Sequence, residues 1–110
     1  MEIRFSKSKL MKTCNSANKL RAEYGQAMAR MIQRRLSELA AADTLEVMRA
    51  LPGHCHELQQ NLKGLLAISL VGADRLAFKP DHDPVPAKDD GGLDWSKVTK
   101  IEVVGIGDYH

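Results

Sequence analysis

Hydrophobic period along this chain switches from helical to strand-like, and that order constrains the fold more than any single motif. The stretch "KLRAEYGQAMARMIQRRLSELAAAD" (19–43) places Leu20, Tyr24, Met28, Met31, Ile32, Leu36 and Leu39 at three- and four-residue spacing. Arg21, Arg30, Gln33, Arg34, Ser37 and Glu38 lie off that stripe. Its alanine content and its one interior glycine, Gly25, predict a helix of about six turns. From Gly64 onward the pattern is that of strands. "GLLAISLV" (64–71) is a short run covered on both faces, and "ADRLAFKP" (73–80) alternates, with Leu76 and Phe78 opposed to Arg75 and Lys79. Gly72 between the two suits a tight hairpin. "KIEVVGIGDYH" (100–110) supplies the last strand.

The remaining segments fit around this frame. "EIRF" (2–5) reads as an opening strand, and a helical segment follows from about Ser6 to Asn15. Asp43 with Glu46 three residues later resembles a capping box that opens a short helix through Ala50, closed by "LPG". The stretch 80–97 holds three prolines, five aspartates and two glycines and is expected to be a loop, long for a compact domain. Helices gathered ahead of a run of strands predict an α+β fold, with an N-terminal strand and helices packed on one face of an antiparallel sheet. The whole chain, 1–110, reads as a single domain.

No apolar run approaches the roughly 20 residues that cross a bilayer, and the N-terminus lacks a signal-peptide core, so no membrane role is expected. Cys14 and Cys55 have neither the number nor the spacing of a disulfide framework or zinc ribbon, which points to a reduced, cytoplasmic protein. A formal net charge of +2 hides a division along the chain. Residues 1–35 carry nine Lys/Arg against Glu2 and Glu23, whereas the remainder carries seven basic and twelve acidic residues. Such asymmetry fits a basic face for a polyanion, or simply a solvated helix surface.

Proton-handling side chains collect on the strands and their ends: His54 and His56 in "HCH", Arg75, and Asp108, Tyr109 and His110 in the closing "DYH". Three readings suit them. His54, Cys55, His56, His82 and His110 include enough donors for a metal, although neither C-x₂-C nor H-x₃₋₅-H spacing occurs. A structural reading has His56 cap a strand and Asp108 neutralise Arg75. Metal-free phosphodiester chemistry would use a histidine to deprotonate a ribose 2′-hydroxyl, an arginine to hold the phosphate, and a second acid to protonate the leaving oxygen. Histidine is the side chain that titrates near pH 7 without help, which suits it to that work.

"RALPGHCHELQQNLKGLLAISLVGADRLAFKP" followed by "DDGGLDWSKVTKIEVVGIGDYH" resembles the RelE/ParE superfamily of bacterial toxins, in particular the HigB-type plasmid-maintenance killer proteins. The resemblance rests on His56 in "CHEL", Gly64 before the apolar strand, Arg75 in "DRLAF" and the closing Asp108-Tyr109-His110. It implies a fold like that of small microbial ribonucleases and an endoribonuclease that cleaves mRNA in the ribosomal A site without metal or other cofactor. His56, Arg75, Asp108, Tyr109 and His110 match the family's functional positions. Relatives carry basic residues where this chain has Gln59 and Leu62, leaving Lys63 beside Gly64 and Arg75 to hold phosphate. Arg30, Arg34, Arg35, Lys63 and Lys79 are the residues expected to meet RNA backbone. The implied partners are a helix-turn-helix antitoxin of HigA type, the ribosome and its mRNA, and operator DNA through the antitoxin complex only. The superfamily also contains ParE-like proteins that poison gyrase without an active site, and a catalytically weakened toxin acting through its antitoxin complex is a further alternative.

Overall fold

The computed structural model describes residues 1–109; His110 lies outside the described residues. Strand β1 (Glu2–Phe5) leads into three helices, α1 (Ser8–Cys14), α2 (Ala17–Tyr24) and α3 (Gln26–Ala41). After a 3₁₀ turn at Leu45–Ala50 come β2 (His56–Glu57), β3 (Leu66–Ser69), β4 (Arg75–Pro80) and β5 (Lys100–Gly107). The five strands form one sheet in the order β1-β5-β4-β3-β2. Strands β2 to β5 are antiparallel to their neighbours, as expected, while β1 lies parallel to β5, with Ile3 opposite Ile101 and Phe5 opposite Val103. A parallel pair needs a long crossover, and every element from α1 to β4 supplies it.

Helices cover one face of the sheet. Leu20, Ile32 and Leu39 pack with Leu66, Ile68, Leu76, Phe78, Ile101 and Val103 in a common core. Alternation along β4 sets this face: Leu76 and Phe78 point to the helices, and Arg75, Ala77 and Lys79 point the other way. Met48 is buried within the core, and Met28 and Met31 pack at its margin, as gap-fillers do.

Two local expectations are corrected. The single long helix is two, because Gly25 stands between them at φ +83°, ψ 167°, a conformation that only glycine adopts readily. Its N–H closes α2 on the Arg21 carbonyl (3.0 Å), and its own carbonyl accepts from Ala29 to open α3 (2.9 Å). The capping box at Asp43 does not form either. Thr44 precedes the turn without a side-chain cap, the turn is 3₁₀, and Glu46 pairs with Arg49.

The 80–97 stretch is a structured crossing. Asp94 caps the 3₁₀ turn Trp95–Lys97 by accepting from the Ser96 N–H (3.1 Å). The buried Trp95 indole donates to Glu57 Oε2 (3.1 Å) beneath the Arg49 guanidinium. Among the described residues, no helix is long and apolar enough to cross a membrane.

Candidate functional site

On the face away from the helices, strand register lines up one row across four strands. His56 on β2 pairs with Ala67 on β3, Ala67 with Ala77 on β4, and Ala77 with Gly105 on β5. Strand spacing of ~4.8 Å makes the row about 14 Å long between its end backbones. Both alanines are fully buried, so the surface of this face is made by the larger side chains around them. Arg75 and Lys79 flank Ala77 along β4 on the same face.

His56 owes its setting to a distorted entry into β2. His54 has φ +50°, unusual for a residue with a side chain, and its ring stacks on that of His56 with centroids 4.6 Å apart. The His54 carbonyl lies 2.8 Å from His56 Nδ1. A carbonyl oxygen can only accept, so Nδ1 carries the proton and the neutral ring keeps its lone pair on Nε2. Among the described residues no hydrogen bond uses that Nε2. The two imidazoles lie together because His54 takes a left-handed conformation just before β2.

Tyr109 closes the other end of the row. The last strand, expected over 100–110, ends at Gly107. Tyr109 then turns back so that its hydroxyl occupies the space a Cβ on Gly105 would fill. Glycine inside a strand often marks such a close approach. Gly105 is therefore part of the site although it carries no chemistry, and its place inside a strand is the one signal of this in the sequence. Lys7 and Lys9 at the start of α1 are likewise absent from the expected set; they line a cleft of about 260 Å³ with Tyr109 at the edge of β5. Asp108 is exposed. His110, the other functional position expected in the closing segment, lies outside the described residues.

Arg75 is fixed at one nitrogen only. Its Nη1 donates to the carbonyls of Gly72 and Asp74, each at 3.0 Å, which ties it to the β3–β4 turn. No hydrogen bond among the described residues uses Nε or Nη2, the edge of the guanidinium that grips a phosphate in bidentate fashion.

The remaining basic residues separate. Lys63 and Lys79 line one cavity of about 580 Å³ between the start of β3, the end of β4 and residues 85–93. Lys79 also pairs with Glu102 at 3.5 Å. Arg30 and Arg34 are exposed on α3, and Arg34 pairs with Glu38 at 3.6 Å. Arg35 corrects its expectation: it is only 6% exposed, donating from Nε to the Ser69 carbonyl (2.9 Å) and from Nη1 to Glu38 (3.0 Å). It cannot reach an RNA backbone. Three residues after Ile32 and four before Leu39, it lies on the buried stripe of α3, a position legible in the apolar spacing itself.

His82 stands apart from this face; its Nε2 accepts from the N–H groups of Thr99 (3.1 Å) and Lys100 (3.3 Å). Among the described residues no three His, Cys, Asp or Glu side chains gather as a metal would require. Burial pushes the Cys55 thiol up to about 12 and the Cys14 thiol up to about 11, so neither is a thiolate nucleophile at neutral pH.

No protein-family model matches the sequence, and no curated protein does. A chain of the YoeB–YefM complex from Staphylococcus aureus superimposes with a TM-score of 0.56 over all of this chain and 97% of that one, at 18% identity. The fold is RelE-like. It is the α+β fold that the resemblance implies, and at that identity the likeness speaks for the fold alone.

Proposed function

We propose that this chain is the toxin of a type II toxin–antitoxin pair, an endoribonuclease that cleaves mRNA in the ribosomal A site. The observation that carries the reading is the row on the free face of the sheet. A histidine with its Nε2 lone pair available stands at one end, a phenol stands at the other, and an arginine fork lies between them. The RelE-like fold supports it, and the solved neighbour is a complex of two proteins, the form in which a toxin is held by its antitoxin. The partner proposed for this chain is a helix-turn-helix antitoxin of HigA type, whose complex would carry it to operator DNA.

The chemistry needs no group beyond the chain itself. His56 Nε2 accepts the proton of a ribose 2′-hydroxyl as the 2′-oxygen attacks the adjacent phosphorus. The 5′-oxygen leaves and takes one proton from the closing segment, where the Tyr109 hydroxyl, lying over Gly105, is the donor within the described residues. Arg75 binds the non-bridging oxygens, with Lys63 and Lys79 holding the neighbouring backbone. Fixed positive charge of this kind stabilises the developing phosphorane without reorganising as it forms.

Expression from an inducible promoter, with RNA ends and DNA supercoiling mapped in the same cells, tests the proposal. Cuts at codon boundaries whose upstream fragments end in a 2′,3′-cyclic phosphate or 3′-phosphate are expected, and protein freed of metal by EDTA before assay should cut at an unchanged rate. His56→Gln should slow cleavage by ~10²–10⁴ while leaving the fold intact. Fragments ending in a 3′-hydroxyl would overturn the mechanism. Altered supercoiling with intact mRNA would instead assign the chain to the ParE-like, non-enzymatic class.

A further inference from the structure

We propose that Arg35, buried on the helix side of the sheet, is the positioning residue that sets the tautomer and orientation of His56 on the other side. The inference rests on the reading of His56 as the base and adds the device that prepares it. Three contacts make the connection. Arg35 Nε donates to the Ser69 carbonyl at 2.9 Å, and the Ser69 N–H in turn donates to the Gly53 carbonyl at 2.7 Å. The guanidinium also lies against Gly53 itself: a Cβ added there would come within 3.1 Å of Arg35 Cζ and Nε and 2.8 Å of Ile68 Cγ1. Gly53, at φ +114°, is thus clamped between α3 and β3.

What the clamp fixes is the next residue. His54 leaves Gly53 in the left-handed conformation, a strained state that persists only where its surroundings over-determine it. In that conformation its carbonyl reaches His56 Nδ1 and its ring stacks on the His56 ring. Release of Gly53 would let His54 relax to an extended conformation and withdraw the carbonyl. The His56 proton would then be free to sit on either nitrogen, and the fraction of rings with a lone pair on Nε2 would fall. Glu38 orients the guanidinium through its 3.0 Å ion pair, which satisfies a cation that would otherwise be costly to bury. Lysine cannot replace it, since one ammonium cannot lie flat on Gly53 and donate along its edge to Ser69.

Imidazole ¹⁵N spectra of the full chain read the tautomer directly, with or without enzymatic activity. Wild-type His56 is expected to show protonated Nδ1 and unprotonated Nε2 in its neutral form. Arg35→Lys, Arg35→Met and Gly53→Ala should each shift it towards a mixture of tautomers, and each should lower cleavage by on the order of 10²-fold through misplacement of the base. Folded variants whose His56 spectrum matches the wild type would overturn the proposal. Should the variants fail to fold, the wild type still decides: nuclear Overhauser contacts between the Arg35 side chain and the Gly53 α-protons are expected, and their absence would overturn it. If the wild-type chain cuts no RNA, the proposed function falls, while the tautomer comparison still judges Arg35.

Discussion

Adding one methyl group at Gly105 would put it where the Tyr109 hydroxyl now sits. Gly105 borders an irregularity in the β4–β5 pairing, where Val104 is the extra residue, but its φ is not positive, so Gly105→Ala should fold, and its damage should fall on the placement of Tyr109. Cleavage is expected to drop about as far as in Tyr109→Phe, and adding Gly105→Ala to Tyr109→Phe should cost little more, since two changes that remove one interaction are not additive. Full activity in Gly105→Ala would remove Tyr109 from the site. Cys55 offers a test of the ground beside His56. Burial pushes its thiol up from 9.0 to about 12, so the folded chain holds that proton over a range where the unfolded chain has lost it. The stability this adds is complete below pH 9 and is lost as pH rises towards 12, with a slope of up to about 1.4 kcal/mol per pH unit. Denaturant melts of Cys55→Ala should show a shallower alkaline decline than the wild type, and identical slopes would mean that the thiol is well solvated. At this scale His56, Arg75 and Tyr109 stand out in the sequence as candidates by type, because proton carriers and a guanidinium are conspicuous. It does not reveal Gly53, Gly105 or the row of alanines, whose part is to leave space and whose value depends on what another strand brings near.

Elements are legible wherever a period runs long enough to be seen. The strands at 66–69, 75–80 and 100–107 fall within their expected segments, and α1 and α3 lie within the segments expected to be helical. Boundaries governed by a single backbone conformation are not legible. Gly25 reads in the sequence as a tolerated interruption, yet its φ of +83° with ψ of 167° separates α2 from α3. A Cβ at 25 would meet nothing within 4 Å, so crowding is not at stake. Gly25→Ala isolates the conformational term, and a loss of about 1–3 kcal/mol in denaturant melts is expected. A gain in stability with greater helicity would mean that α2 and α3 prefer to run on as one helix and that the break is not needed for packing. The parallel pairing of β1 with β5 is hidden for a different reason. Alternation within "EIRF" says which side chains face the core, and both directions of pairing satisfy it.

Considered whole, the molecule keeps its basic helix surface and its candidate site on opposite sides of the sheet. Arg30 and Arg34 project from α3, which covers the face bearing Leu76 and Phe78, whereas His56, Arg75 and Tyr109 belong to the other. An mRNA strand laid along the row would not touch those arginines, so any nucleic acid they meet is a separate segment, such as a ribosomal RNA helix flanking the decoding site. Counting charges along the chain finds the basic N-terminal half but cannot divide it by face, and it wrongly includes Arg35. The division yields a prediction that a single continuous RNA surface does not. Arg30→Glu with Arg34→Glu should weaken co-sedimentation with ribosomes and flatten its salt dependence, by roughly 0.7–0.9 in log–log slope for each phosphate no longer neutralised. The fold should be unaffected, since both side chains are exposed and the ion pair of Arg34 is a surface one of small worth. Arg75→Ala should do the converse, abolishing cleavage while changing ribosome association little. If the charge reversal leaves the salt slope unchanged, the α3 arginines are a solvated surface. Under the proposed function, the cations that meet the ribosome would then be Lys63 and Lys79 on the site's own face, or Lys7 and Lys9 at the edge of β5.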